Sequence, residues 1–129
     1  MNTRNIEISN LLNFAQFYDL VKNEKLSLKT SYKLHRLAKE AEKHIAFYQE
    51  QMSIIIQEYC KKNEKGEFQA SENGGYAIIE GKEEECSIKI TELQNLEIEI
   101  LDQQFSIDEF GSVQITPQEL ILIEPFLID

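Results

Sequence analysis

The chain has 129 residues, 42% of them hydrophobic, which is enough for one modest core. Its 23 acidic and 13 basic residues give a net charge of −10, which argues against general affinity for nucleic acids or anionic membranes. Residues 1–62 carry ten basic and seven acidic side chains, whereas residues 63–129 carry three and sixteen. We expect a single domain over residues 1–129, with a helical hairpin in the first half and an acidic α+β part in the second.

The opening residues predict a short strand followed by two helices. Ile6 and Ile8 alternate with polar neighbours, a weak strand signal. Apolar residues then recur at helical spacing, which predicts a first helix over roughly residues 10–22. After a polar run, Ser27 or Thr30 can begin a second helix. Two helices joined by a short turn predict an antiparallel hairpin.

The second predicted helix covers Leu28–Lys62, which contains no glycine or proline. Its apolar or small residues follow heptad spacing, with steps of three and four residues. They are Leu34, Ala38, Ala41, Ile45, Tyr48, Met52, Ile55 and Tyr59. The whole segment would extend about 50 Å and the first helix only about 20 Å. The later part of this seam is therefore left for the C-terminal half or another subunit.

A glycine-rich break separates the halves of the chain. Gly66 and the Asn73–Gly75 group are typical of turns, and Phe68 can end a short strand paired with Tyr76–Ile79. This pattern predicts a hairpin. Residues 83–94 fit a helix or a strand almost equally well, and we favour a helix.

The C-terminal region predicts one strand and two short helices. Leu96, Ile98 and Ile100 alternate with glutamates, which indicates a half-buried strand, with Val113 and Ile115 as its expected partner.

Two capping boxes follow, one from Ser106 to Glu109 and one from Thr116 to Glu119. Pro117 stands at the favoured first helical position, and the last helix should continue through Leu120–Ile123. The fold class is therefore α+β: an N-terminal antiparallel helical hairpin with one long helix, then a small antiparallel sheet and short C-terminal helices.

Uncovered apolar positions in the long helix and the last helix predict a contact with a partner or another copy of the chain. They are Met52, Ile55, Ile56, Tyr59, Leu120, Ile121 and Ile123.

Residues capable of catalysis or metal binding are few. His35 and His44 are nine positions apart, which places them on opposite sides of a helix and predicts two surface side chains. Cys60 and Cys86 have no metal or redox spacing, so we expect inert, reduced thiols. The acidic clusters lack the pattern of a calcium loop, and no phosphate-binding glycine motif occurs. We expect no enzymatic activity, no cofactor and no metal site.

One side of the long helix predicts a cationic face with an aromatic residue. It comprises Lys29, Tyr32, Lys33, Arg36, Lys39 and Lys43, within an arc of about 120°. The simplest interpretation is the solvated face of an amphipathic helix. The alternatives are a docking face for an acidic protein surface and, less favoured, a site for nucleic acid.

Several motifs carry a resemblance to a known group of proteins. They are Lys25–Leu34 at the entry to the long helix, the turn of residues 63–75, Phe105–Phe110, and Ile115–Leu120. With these motifs the chain resembles an uncharacterised family of small proteins encoded by phages and prophages of Gram-positive bacteria. The resemblance implies a viral origin and carries no functional residues.

Three functions remain open. The first is a non-enzymatic phage or prophage protein that acts by protein–protein contact, in particle assembly or as an accessory factor, and forms a homo-oligomer. The second is an acidic inhibitor of a host defence or regulatory protein. The third is a nucleic-acid-binding regulator. No signal peptide or membrane span is evident, so we expect a location in the bacterial cytoplasm or in the virus particle and no membrane contact.

Overall fold

A computed structural model of the chain describes residues 2–72, 74–111 and 113–128. Its elements are β1 (Thr3–Glu7), α1 (Ile8–Val21), α2 (Leu28–Tyr59), α3 (Glu83–Gln94), β2 (Glu97–Leu101) and α4 (Pro117–Leu120), with 3₁₀ helices at Ile107–Phe110 and Glu124–Phe126. The helices and the two-stranded antiparallel sheet confirm the predicted α+β class, with a long helix after a short one. Asn73, part of the predicted turn, lies outside the described residues.

The chain divides into two compact units. The first comprises Met1–Ile45 and Glu97–Asp129, and the second comprises Ala46–Leu96. Helix α2 contributes residues to both units. The division therefore does not follow the expected boundary between residues 62 and 63.

In the first unit, β1 and β2 pair with each other. The register places Ile6 opposite Ile98 and Arg4 opposite Ile100. The expected pairing of β2 with Val113 and Ile115 is wrong, because both residues lie outside regular secondary structure and pack against the core as half-buried side chains. The weak strand signal at the N-terminus provides the partner instead.

The start of α1 shows why the N-terminal pattern is ambiguous. Ile6 is buried from the strand, whereas Ile8 is buried as the first residue of the helix. Two apolar residues two positions apart fit a strand, yet here the second enters the core after the backbone has changed to helix. The helix therefore begins two residues earlier than predicted, and Glu7 provides no side-chain cap.

The core of the first unit is rich in aromatic rings. Phe14 of α1 meets Phe126 edge-on with ring centroids 5.5 Å apart, and Phe17 meets Phe110 in the same way at 5.3 Å. Helix α2 adds the buried residues Leu34, Leu37 and Ala41 to this cluster, which also contains Leu11 and Ile100. Burial of each large apolar side chain contributes about 1.5–3 kcal/mol, so the C-terminal segment is an integral part of the core.

Both predicted capping boxes are present. The Ser106 and Thr116 side chains meet the backbone of Glu109 and Glu119, and each glutamate bonds back to the backbone of its capping residue. Helix α4, which begins at the second capping box, ends at Leu120. Its predicted continuation through Ile123 is therefore wrong.

Two features explain the early end of α4. Pro125 lies in a separate 3₁₀ helix, Glu124–Phe126, and in a continued α-helix it would lack the N–H for a backbone bond and its ring would clash with the carbonyl of Ile121. The segment after Pro125 also pairs with Phe105, whose N–H donates to the Phe126 carbonyl at 2.7 Å and whose carbonyl accepts from Ile128 N–H at 3.0 Å. Tertiary pairing therefore outweighs the local helix signal.

In the second unit, α3 packs on the later part of α2. Ile55 and Tyr59 form one buried cluster with Cys86 and Leu93. Residues 83–94 are thus a helix, in agreement with the favoured prediction.

The glycine-rich break folds into three short segments that pair with one another. Lys61 N–H donates to Ala77 O at 2.8 Å, Ala77 N–H to Gln69 O at 2.9 Å, and Gln69 N–H to Lys61 O at 3.0 Å. Isolated bridges join Ala70 to Tyr76 and Lys62 to Phe68. The predicted hairpin is therefore extended by the residues that follow α2, and each segment satisfies backbone groups of the other two.

Candidate protein-binding surface

A groove of about 360 Å³ lies between α2 and α3 in the second unit. It is lined by Phe47, Gln51, Ile54, Ile55, Glu58, Lys89, Glu92, Leu93 and Leu96. The α2 positions are 47, 51, 54, 55 and 58, and the α3 positions are 89, 92 and 93, so each set follows helical periodicity and forms one stripe on its helix. Helical periodicity therefore builds both walls.

Large apolar side chains of this groove are open to solvent. The exposed fractions are 43% for Phe47, 51% for Ile54 and 40% for Leu96, whereas Ile55 and Leu93 are buried beside them. Clustered exposed apolar side chains mark interaction sites more often than single ones do. We therefore take this groove as the candidate functional site.

The sequence contains a signal for this groove that lies outside the predicted heptad seam. Phe47 and Ile54 stand one position before Tyr48 and Ile55, which belong to the seam. The apolar arc of α2 is consequently wider than a heptad seam. The seam residues Tyr48 and Ile55 pack inside the chain, whereas Phe47 and Ile54 remain at the surface.

The charged residues of the groove have no ion-pair partner among the described residues. Glu58 lies on α2, and Lys89 and Glu92 lie on α3. Burial, and next the charges of Glu58 and Glu85, raise the pKa of Tyr59. The groove itself is lined by two acidic residues and one basic residue.

The predicted interface positions on α2 are mostly used within the chain. Ile55 and Tyr59 are buried, and Met52 packs half-buried against the same cluster. Ile56 is half-buried. The expectation that Ile55 and Tyr59 face a partner is therefore corrected, because α3 covers this part of the seam.

The predicted C-terminal interface separates into buried and exposed residues. Ile123 is buried, whereas the exposed fraction is 37% for Leu120 and 58% for Ile121. Leu120 and Ile123 line a small apolar pocket of about 150 Å³ together with Phe17 and Ile107. Only Leu120 and Ile121 keep the accessibility that a contact requires, so the expectation for Ile123 is corrected.

The cationic face of α2 is interrupted in its middle. Lys33 Nζ pairs with Glu109 at 2.9 Å and lies 4.6 Å from the centroid of the Phe105 ring. The Arg36 guanidinium lies 5.6 Å from the Tyr32 ring centroid.

The remaining cations of this face are Lys29, Lys39 and Lys43, all exposed. Glu40, between them, accepts the Leu101 backbone N–H at 3.1 Å through each carboxylate oxygen. The acidic half thus meets this face within the chain at Lys33, and Glu40 breaks its positive charge.

The two histidines differ from each other. His35 is exposed, as predicted, but His44 is half-buried, and its Nε2 has no hydrogen-bond partner among the described residues. Burial, and next the Lys43 charge, lower the pKa of His44 against the opposing effect of Glu40. The surface prediction for His44 is therefore corrected, and its imidazole is neutral at neutral pH.

The cysteines are buried and unpaired. Burial raises the pKa of Cys60, and burial together with the proximity of Cys60 raises the pKa of Cys86. Both thiols are thus poor nucleophiles. Within residues 2–72, 74–111 and 113–128, no three acidic, histidine or cysteine side chains are grouped as a metal site would require.

Comparison with known proteins found no relative: no protein family, curated protein or solved structure matches the chain. In the part of the chain that the structure describes, none of the helices combines the length and the apolar character needed to cross a membrane.

Proposed function

We propose that the chain is a non-enzymatic phage or prophage accessory protein that acts by binding another protein through the groove between α2 and α3. The observation that carries the proposal is the exposure of Phe47, Ile54 and Leu96 around one groove. Their combined apolar surface gives a partner a hydrophobic contact, which is the main driving force of most protein association. The resemblance of Lys25–Leu34 and the C-terminal motifs to small phage proteins supports the phage or prophage origin in this proposal.

The state of the other reactive groups favours binding over chemistry. The thiols of Cys60 and Cys86 are buried and protonated, and burial keeps His44 neutral and partly covered. The cationic face, the other candidate surface, is interrupted by the Lys33–Glu109 pair and by Glu40. The groove instead brings together three exposed large apolar side chains, Phe47, Ile54 and Leu96.

A photocrosslinking experiment tests this proposal. The photoreactive amino acid benzoylphenylalanine replaces Ile54 in the groove or, as a control, Gln49, an exposed residue on the opposite side of α2. Each variant is produced in Gram-positive cells, which are then irradiated. We expect a discrete crosslinked product from position 54 and none from position 49. Mass spectrometry then identifies the bound protein. Equal products from both positions, or none from position 54, would contradict the proposal.

A second candidate function is particle assembly through contacts between copies of the chain. It is favoured by the exposure of Leu120 and Ile121 at the C-terminal segment. Sedimentation equilibrium should then show a multimer of the 15.0 kDa chain that dissociates when Ile121→Asp is introduced. A wild-type monomer at high concentration, with or without salt, would remove this candidate.

A further inference from the structure

The groove between α2 and α3 has dimensions that suit one kind of ligand. Its α2 wall runs from Phe47 to Glu58, eleven residues along the helix, or about 16 Å. Three turns of an α-helix have the same length. An amphipathic helix places apolar anchors at i, i+3 or i+4, and i+7 along such a groove.

The apolar residues of the groove can receive anchors of that spacing. Phe47 and Ile54 are exposed seven positions apart on α2, and Leu96 is exposed just after α3, seven positions after Lys89. Ile55 and Leu93 are buried beside them. A ligand with a single apolar stripe would contact both walls at once, whereas an extended peptide would present alternate side chains away from the groove.

The charges indicate the composition of the ligand's flanks. Glu58 stands on one wall and Glu92 on the other, and neither makes an ion pair among the described residues. Lys89 is the single basic residue of the groove. Residues 46–96 as a whole contain ten glutamates and five lysines, so the surrounding field is negative too.

This charge balance favours a basic ligand over a second copy of the chain. A second copy would bring another net charge of −10 towards the first, and two like fields repel. Basic residues on both sides of an apolar stripe would instead meet Glu58 and Glu92. Such rim charges contribute more to orientation and association rate than to affinity.

We infer that the groove lined by Phe47, Ile54, Glu58, Glu92 and Leu96 binds a basic amphipathic helix of about three turns from a partner protein. The inference rests on the proposed protein-binding function and specifies the partner's chemistry. The apolar stripe of the partner helix packs on the groove, and lysine or arginine side chains on either side of the stripe pair with the two glutamates.

Three synthetic, fluorescently labelled helical peptides test the inference by fluorescence anisotropy with the full chain. The first carries leucines in one stripe and lysines beside it. The second has glutamates in place of the lysines, and the third has the composition of the first with leucines spread around the helix. We expect saturable binding of the first peptide, and binding at least about tenfold weaker for the other two.

Variants of the protein locate the site. Ile54→Asp should weaken binding of the lysine peptide by about tenfold or more, whereas Gln49→Asp, which adds the same charge on the opposite side of α2, should leave it unchanged. The double variant Glu58→Gln with Glu92→Gln should weaken binding about three- to tenfold and reduce its salt dependence. Equal thermal unfolding of the variants and the wild type confirms that the fold is kept.

Several outcomes would overturn the inference. Equal affinity for the glutamate peptide would refute a basic partner, and equal affinity for the spread-leucine peptide would refute an amphipathic one. Concentration-dependent dimerisation that Ile54→Asp abolishes would assign the groove to a second copy. Failure of all three peptides to bind would also reject a basic helix, while a crosslink from position 54 would still support the proposed protein-binding function.

Discussion

Lys33 Nζ lies 2.9 Å from Glu109 Oε1 and 3.0 Å from Oε2, so one cation of α2 is bound by the acidic C-terminal half of its own chain. The side chains are only 17% and 21% exposed, and the ammonium group also lies over the Phe105 ring. Glu109 further accepts the Ser106 backbone N–H at 2.8 Å and lies 3.3 Å from Thr30 Oγ1. One carboxylate thus joins the start of α2 to the 3₁₀ helix at Ile107–Phe110.

Removal of this carboxylate should destabilise the protein. We expect Glu109→Ala to lower the free energy of unfolding by about 1–3 kcal/mol, because Lys33 would be left partly buried without its partner and the Ser106 N–H would lose its acceptor. Urea denaturation measures the change. The matched control is Asp108→Ala, which removes an exposed carboxylate next to it and should change stability by less than about 0.5 kcal/mol. Equal effects of the two substitutions would contradict the role of Glu109.

The same pair predicts a dependence of stability on pH. Burial alone would raise the pKa of Glu109, but hydrogen bonds from Lys33 and from the Ser106 backbone, with the Lys33 charge, lower it below its ordinary value of 4.5. A pKa that is lower in the folded state than in the unfolded state stabilises the fold above the unfolded pKa. That stabilisation is lost as the pH falls through the folded pKa.

The measurement compares wild type with Glu109→Gln, which retains a hydrogen-bond acceptor but cannot ionise. The difference in the free energy of unfolding should be largest near neutral pH and should narrow as the pH falls below 4.5. A difference that stays constant down to pH 3, or that widens, would show that the Glu109 charge does not stabilise the fold.

The sequence predicted those elements that are encoded by local signals. The periodicity from Leu34 to Tyr59 marked the long helix, and the pairs Ser106–Glu109 and Thr116–Glu119 marked two helix starts. Each signal consists of residues three or four positions apart on one helix. Helix formation depends on contacts of that range, so it can be read from spacing alone.

Long-range pairing and burial could not be read in this way. The partner of β2 is β1, about 95 residues earlier, and nothing in the alternation of Ile98 and Ile100 distinguishes Ile6 from Val113 as the partner. The sequence indicated the groove only in part, because Phe47 and Ile54 widen the apolar arc of α2. Which apolar residues stay exposed depends on where α3 packs, and spacing on α2 does not determine that.

The C-terminal segment should be required for the stability of the first unit. Phe126 is fully buried against Phe14, with the Arg4 guanidinium 5.0 Å from its ring centroid. We expect Phe126→Ala to lower the free energy of unfolding by about 3–5 kcal/mol through lost burial and the cavity left behind. Ile128→Ala, two residues later at an exposed position, is the control and should have little effect. Similar losses from both would mean that Phe126 is not a core residue.

The cysteines should be protected from thiol reagents in the folded protein. Burial raises the pKa of both Cys60 and Cys86, so each has less thiolate and less access to solvent than an exposed cysteine. With Ellman's reagent at pH 8, we expect both native thiols to react slower by about tenfold or more than in urea.

Single variants Cys60→Ser and Cys86→Ser would separate the two rates. The positive control is Ser53→Cys in a chain with both native cysteines replaced by serine, because Ser53 is exposed on α2. Its thiol should react at the rate of the unfolded protein without denaturant. If either native thiol reacted as fast as Cys at position 53, it would be accessible and partly ionised. A nucleophilic or redox role for that cysteine would then replace the structural role that its burial indicates.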